Sequence, residues 1–261
     1  YYKSESEDIM ADLSLNWNIT DWLMFSTVNR FNSSNWFTEA YYDPRTTLPS
    51  IPNGQIENSY GGGWGFGTTN LLKANKDFGD HSINGVVGVE YGEGFSRSFN
   101  ASATDMPNGQ ASLSNGIAQA VGGYNYASRS WAWLAQAQYS YKGRYIVSAS
   151  VRYDETSRFA PKARGGYFPG ASAAWIVSKE EWLENVGAID LLKVRAGYGK
   201  TGNDAIENFL WQDIYSLTSQ YQNVTAAILM RQQNPNLGWE EAYMTSVGID
   251  AELLGRLNVT L

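Results

Sequence analysis

Between Trp131 and Asp154 apolar and polar side chains alternate with period two. Trp131, Trp133, Ala135, Ala137, Tyr139 and Tyr141 fall on one face, and Leu134, Gln136, Gln138 and Ser140 on the other. After Lys142-Gly143-Arg144 the alternation resumes, with Tyr145, Val147, Ala149, Val151 and Tyr153 set against Ser148, Ser150, Arg152 and Asp154. Successive strand side chains point to opposite sides, so this stretch predicts a hairpin with one apolar, aromatic-ended face and one polar face. A strand that divides lipid from water has that form.

The same pattern recurs along the chain. Ile9, Ala11, Leu13, Leu15, Trp17 and Ile19 alternate with Asp12, Ser14, Asn16 and Asn18, and a turn at Thr20-Asp21 leads into a second strand from Trp22 to Phe31. A third strand from Trp64 to Ala74 turns at Lys76 to Asp80 into a fourth carrying Ile83, Val87, Val89 and Tyr91. Beyond the 131–154 hairpin, strands are expected over Tyr167 to Val177, Leu192 to Gly199, Tyr243 to Leu253 and Leu257 to Leu261. Between them, stretches rich in Pro, Gly, Ser and Asn predict long loops over 32–63, 100–127 and 201–237, and a further loop over Ser157 to Gly165. The spacing of Trp182, Leu183 and Val186 permits one or two helical turns after Lys179.

About ten strands thus emerge, joined by connections that alternate short and long. Short periplasmic turns and long extracellular loops are the rule for outer-membrane barrels. With the long loops outside, both ends of the chain fall on the extracellular side, whereas single-chain barrels begin and end in the periplasm. The expectation is therefore an all-β, transmembrane antiparallel β-barrel, with residues 1–261 forming part of the wall of a larger one.

Composition narrows the function. A net charge of −7 speaks against nucleic acid, whose phosphates need clustered Lys and Arg. The lack of cysteine removes disulfides, thiolate zinc sites and thiol nucleophiles. No apolar run approaches the roughly 18 residues of a membrane helix, so any crossing is by strands. His81, the single histidine, lies by a short turn, which argues against histidine-dependent catalysis. Asp154-Glu155, Glu180-Glu181 and Glu240-Glu241 lack the spacing of a calcium loop, and Gly61 to Gly67 lacks the Gly-Lys-Ser/Thr ending of a phosphate loop. Neither a metal nor a cofactor is expected.

Four ordered blocks carry a resemblance. They are YKGRYIVSASVRYDETSRFAPKARGGYF at Tyr141 to Phe168, WIVSKEEWL at Trp175 to Leu183, LLKVRAGYGKTGN at Leu191 to Asn203, and NPNLGWEEAYMTSVGIDAELLGRL at Asn234 to Leu257. In this order they resemble the SusC/RagA-type TonB-dependent transporters of Bacteroidetes outer membranes. One departure is Glu155-Thr156-Ser157, where the family more often has Gly-Ser-Ser. The resemblance implies a barrel of about 22 strands filled by a plug, with no catalytic residue, driven by TonB and the proton-motive force. It also implies a SusD-like surface lipoprotein as partner and an oligosaccharide or peptide as cargo. The plug, TonB box and signal peptide fall outside these blocks.

Candidate site residues follow. Sugars stack on aromatic rings, so Trp36, Phe37, Tyr41 and Tyr42 in the first long loop, Tyr124 and Tyr126 in the second, and Phe209, Trp211, Tyr215 and Tyr221 in the last are candidates for substrate or partner contact. Loop packing is the alternative for each. Arg152, Asp154, Arg158, Lys193, Arg195 and Asp250 are expected on the inward face, as a wall holding the plug or lining a binding cavity. Trp17, Trp22, Trp131, Trp133, Tyr141 and Tyr145 read as interfacial girdle, with Lys142 and Arg144 reaching lipid headgroups. The competing functions are an outer-membrane barrel enzyme and a soluble all-β carbohydrate-binding domain.

Overall fold

The computed structural model describes residues 1–45, 53–107, 110–183, 186–221 and 224–261, without the side chains of 218–221. Its strands are β1 (Tyr2–Asn18), β2 (Leu23–Tyr42), β3 (Gln55–Phe78), β4 (His81–Thr104), β5 (Ile117–Tyr141), β6 (Tyr145–Thr156), β7 (Gly165–Ile176), β8 (Ile189–Asn203), β9 (Ile214–Tyr221), β10 (Val224–Arg231), β11 (Glu240–Leu253) and β12 (Leu257–Thr260). Ten of them form one sheet in the order β1-β2-β3-β4-β5-β6-β7-β8-β11-β12, and β9 pairs with β10 apart from it. Each short turn returns the chain beside the strand it has left, as a meander of hairpins must.

Three expectations are corrected here. β3, β4 and β5 run for 24, 24 and 25 residues, against the roughly 9–11 that cross a bilayer. Much of what reads as the first two long loops is therefore strand. Two of the glycines that signal a loop sit where the backbone of the neighbouring strand leaves no room for a larger side chain: a Cβ on Gly63 would collide with Phe95 O, and one on Gly123 would lie 2.7 Å from Ser98 O. The last long stretch holds the β9–β10 hairpin. The acidic segment after β7 forms a 3-10 turn at Val177–Lys179, followed by i to i−3 bonds from Leu183 N to Glu180 O (2.9 Å) and Val186 N to Leu183 O (3.0 Å), rather than α-helix.

The chain divides into two compact units. One comprises Tyr1–Leu13, Asn29–Thr68 and Gly92–Arg129, the other Ser14–Val28, Thr69–Tyr91 and Ser130–Leu261. The first unit has a small core of Tyr41, Ile56, Ala103 and Met106, against which Ala111 and Leu113 pack. In the second, Phe159 and Ala160 are fully enclosed beneath the segment that precedes β11. Elsewhere the strand faces are largely uncovered, and the sorting of polar from apolar positions takes place across the sheet.

Candidate functional site

Register in the second unit turns alternation into two chemically distinct faces. β5 pairs with β6 from Ser130↔Thr156 to Tyr141↔Tyr145, and β6 with β7 from Tyr145↔Trp175 to Glu155↔Gly165. On one face Trp133, Tyr153 and Tyr167 form a cross-strand row, and Tyr141, Tyr145 and Trp175 form another. Between the rows lie Ala135, Ala137 and Tyr139 on β5, Val147, Ala149 and Val151 on β6, and Pro169, Ala171 and Ala173 on β7. Eight residues separate the rows on every strand, about 27 Å along the chain or roughly 20 Å in height at the usual tilt, close to the apolar band of an outer-membrane barrel.

Both rows are rings in contact. Tyr153 and Tyr167 lie 4.6 Å apart between centroids and Trp133 and Tyr153 6.2 Å; Tyr141 and Tyr145 lie 6.5 Å apart, and Tyr145 and Trp175 6.4 Å. His81 joins the second row: its Nδ1 is 2.6 Å from the Tyr139 hydroxyl, and its ring stacks on Phe78 at 5.3 Å. Lys142 lies over the Tyr141 ring at 5.6 Å.

Below this row sits a carboxylate that sequence reasoning missed. Glu180, in the turn after β7, accepts hydrogen bonds from Arg144 (2.7 Å), the Tyr145 hydroxyl (2.5 Å) and the Trp175 indole (2.9 Å). The Tyr145 bond, then that of Trp175, then the Arg144 charge hold its carboxyl below the ordinary glutamate range. Its neighbours in sequence, Lys179 and Glu181, give it the look of a solvated turn residue.

The opposite face is polar. Gln138, Ser148, Ser172, Gly197 and Ser246 stand in one line through the registers of β5 to β8 and β11, with Ser148 and Ser172 hydroxyls 2.6 Å apart. Arg152, Asp154, Lys193, Arg195 and Asp250 share this face. Arg152 donates to both oxygens of Asp154 (2.9 and 2.8 Å) and reaches Glu90 on β4 at 2.6 Å. Arg195 donates to Asp250 at 3.0 Å, and Lys193 stands directly opposite Asp250 in the register. Arg158 lies in the loop after β6, where it donates to the Asp204 carbonyl at 3.0 Å. A cavity of about 400 Å³ opens among Arg152, Asp154, Phe168, Lys200, Asp204 and Trp239. A second, of about 410 Å³, is lined by Lys73, Asn75, Asn84, Glu90, Gln136 and Gln138.

The candidate aromatics scatter. Trp36, Phe37, Tyr41 and Tyr42 belong to β2, Tyr124 and Tyr126 to β5, and Tyr215 to β9, not to loops. Tyr41 is only 7% exposed in the core of the first unit. Phe209 and Trp211 do lie between β8 and β9; Phe209 adopts a positive φ of 63° and its carbonyl accepts from Arg231 at 2.9 Å, while the Trp211 indole N–H is enclosed. Tyr221 ends β9, and its side chain lies outside the described residues.

An apolar face bounded by two aromatic rows, backed by a polar face of hydroxyls and ion pairs, defines the wall of a transmembrane β-barrel. The family described as "TonB dependent receptor-like, beta-barrel" matches residues 1–261, and the chain belongs to it. It is 30% identical over 250 residues to TonB-dependent receptor P39 of Formosa agariphila, covering 92% of this chain and 24% of the relative. To the TonB-dependent receptor SusC of Bacteroides thetaiotaomicron it is 29% identical over 142 residues, 51% of this chain and 14% of SusC. Among solved structures, that of the RagAB peptide transporter superposes with a TM-score of 0.86 at 19% identity, over 99% of this chain and 29% of that one. The chain thus spans 24% of the length of P39 and 29% of that of the RagAB chain.

Proposed function

We propose that this chain is part of the barrel wall of a SusC/RagA-type importer in a bacterial outer membrane, a barrel of about 22 strands that takes up oligosaccharides or peptides with energy from TonB and the proton-motive force. The observation that carries this reading is the pair of aromatic rows eight residues apart on three neighbouring strands, with a face of ion pairs behind them. Such a face suits a lumen that holds a plug. Arg152, Asp154, Lys193, Arg195 and Asp250, together with Arg158 at the rim, supply charge against which a plug can register. The long outer strand ends and the Phe209–Trp211 segment suit a resting place for a SusD-like lipoprotein. The barrel itself performs no covalent chemistry. Cargo uptake by cells carrying the full-length protein is expected to stop on deletion of TonB or collapse of the proton-motive force; uptake that continues unchanged without either would overturn the proposal.

A further inference from the structure

The import reading leaves the cargo divided between oligosaccharide and peptide. Resting on that reading, we infer that the polar face of the first unit binds a neutral oligosaccharide, which lies across β2 to β5 between Trp36 at one border and Tyr124 and Tyr126 at the other.

Cross-strand neighbours fix the geometry. The Trp36 indole lies over Gly61, where a Cβ would come within 2.5 Å of its Cζ2 and Nε1. Tyr60 stacks on Phe99 at 5.4 Å, so their neighbours Gly61 and Ser98 stand side by side on the opposite face. A Cβ on Gly123 would lie 3.2 Å from Phe99 Cα, which sets Tyr124 beside Ser98. Trp36, Gly61, Ser98 and Tyr124 therefore form one line across four strands. Ser34, Gly63, Ser96 and Tyr126 form the next. At the usual strand spacing the backbones of Trp36 and Tyr124 stand about 14 Å apart; the indole covers Gly61, and Ser98 is the one side chain of that line between it and Tyr124.

The rings at the borders are presented rather than packed away. Trp36 is 40% and Tyr124 59% exposed. Tyr124 and Tyr126 stack nearly parallel, at 5.8 Å and 12°, which fixes the orientation of both rings. Flat aromatic bodies with a polar tip suit the C–H faces of pyranose rings. Ser34, Ser96 and Ser98 offer hydroxyls, each able to donate one hydrogen bond and accept two, which match sugar hydroxyls in kind. Neither line carries a charged side chain, so an ionic cargo would find no counter-charge there. A peptide needs partners for its own N–H and C=O groups. The floor of a sheet has already paired its backbone, so it offers no free edge for a peptide to extend as an added strand.

The test uses the full-length protein in detergent and an array of neutral oligosaccharides, with a pool of mixed-sequence peptides as counter-probe. At least one glycan is expected to bind and to alter tryptophan fluorescence, and the peptide pool is expected to be silent. Trp36→Ala and Tyr124→Ala should each weaken the glycan about tenfold, the worth of one good ring contact, while Trp36→Phe should keep most of the affinity. Ser98→Trp, which fills the floor, should abolish binding. Retained heat-modifiable migration on gels will show each variant folded. Silence across the glycan array, affinity untouched by Trp36→Ala, Tyr124→Ala and Ser98→Trp, or capture of the peptide pool would each overturn the inference. TonB-dependent uptake of a peptide would overturn it and leave the import reading standing; TonB-independent uptake of a bound glycan would do the reverse.

Discussion

Phe159 and Trp239, eighty residues apart in the chain, pack ring against ring at 5.1 Å. Around them Ala160 N donates to Leu237 O at 3.1 Å, the Trp239 indole donates to Arg164 O at 2.9 Å, and Phe168 meets Trp239 edge-on at 5.0 Å. The RYDETSRF and NPNLGWEE segments are thus two halves of one packed joint. Its aromatic side closes the cavity that Arg152 and Asp154 enter from the wall. Glycine is required at the join, because a Cβ on Gly202 would stand 2.8 Å from Trp239 Cε3 and collide with Phe168.

Phe159 is 1% exposed, and its truncation leaves a void that the surrounding strands cannot collapse to fill. Phe159→Ala is expected to cost about 3–5 kcal/mol, and Phe159→Leu clearly less. Urea unfolding of the full-length protein in lipid vesicles measures both. Equal stability of the two variants would show that Phe159 does not anchor the joint.

The registers of β5 to β7 make a prediction about lipid. Val147 is half exposed between Tyr139 and Ala173, whereas the Ser148 hydroxyl meets that of Ser172. Spin labels at Val147 and Val151 should be broadened by a lipid-soluble relaxant, and labels at Ser148 and Ser150 by a water-soluble one. Ala149→Arg, midway between the two aromatic rows, should destabilise the barrel by roughly 2–4 kcal/mol. Labels that respond the other way round would move the register by one residue and exchange the two faces.

Arg152 ties β6 to β4 by holding Asp154 and Glu90 together. Its side chain is 40% exposed, so water screens the pair, and Arg152→Ala should cost about 1 kcal/mol. Removal of Glu90 from that variant relieves two carboxylates left facing each other. The double variant Arg152→Ala/Glu90→Ala is therefore expected to be more stable than Arg152→Ala alone. Strictly additive losses in the double-mutant cycle would show that the two side chains act independently.

Strand parity was legible from sequence because it is local: Val147 beside Ser148, or Leu192 beside Lys193, declares its face through a period of two. Strand length was not legible. Gly61 and Gly63 carry the composition of a loop, yet the Trp36 indole and the Phe95 carbonyl occupy the space their side chains would need, a constraint that arises only across strands. The β9–β10 hairpin escaped for a related reason, since Ser216, Thr218, Ser219 and Gln220 give no apolar alternation to follow. Arg158 has the charge of a wall residue but sits past the end of β6, where the chain has turned toward Asp204. Glu180 was hidden by its company: only the pairing of β6 with β7 brings Tyr145 and Trp175 together above it.

Glu180 predicts a pH response confined to the turn end of β6 and β7. Its carboxyl is held below the ordinary range by donors that exist only in the folded chain, first the Tyr145 hydroxyl, then the Trp175 indole, then Arg144. A depressed folded value means that the stabilisation is complete above the unfolded glutamate value of about 4.3 and is lost as pH falls from there through the folded one. Amide exchange at Ile176 and Leu183, whose N–H groups bond to Arg144 O and Glu180 O, should therefore be protected equally at neutral and mildly acidic pH and accelerate below the glutamate range. Glu180→Gln keeps the shape but loses the charge, so it should show weaker protection at neutral pH and no acid step. A wild-type profile that stays flat through the acid range, or an identical step in Glu180→Gln, would assign the stability of this turn to the Tyr145–Trp175 stack alone.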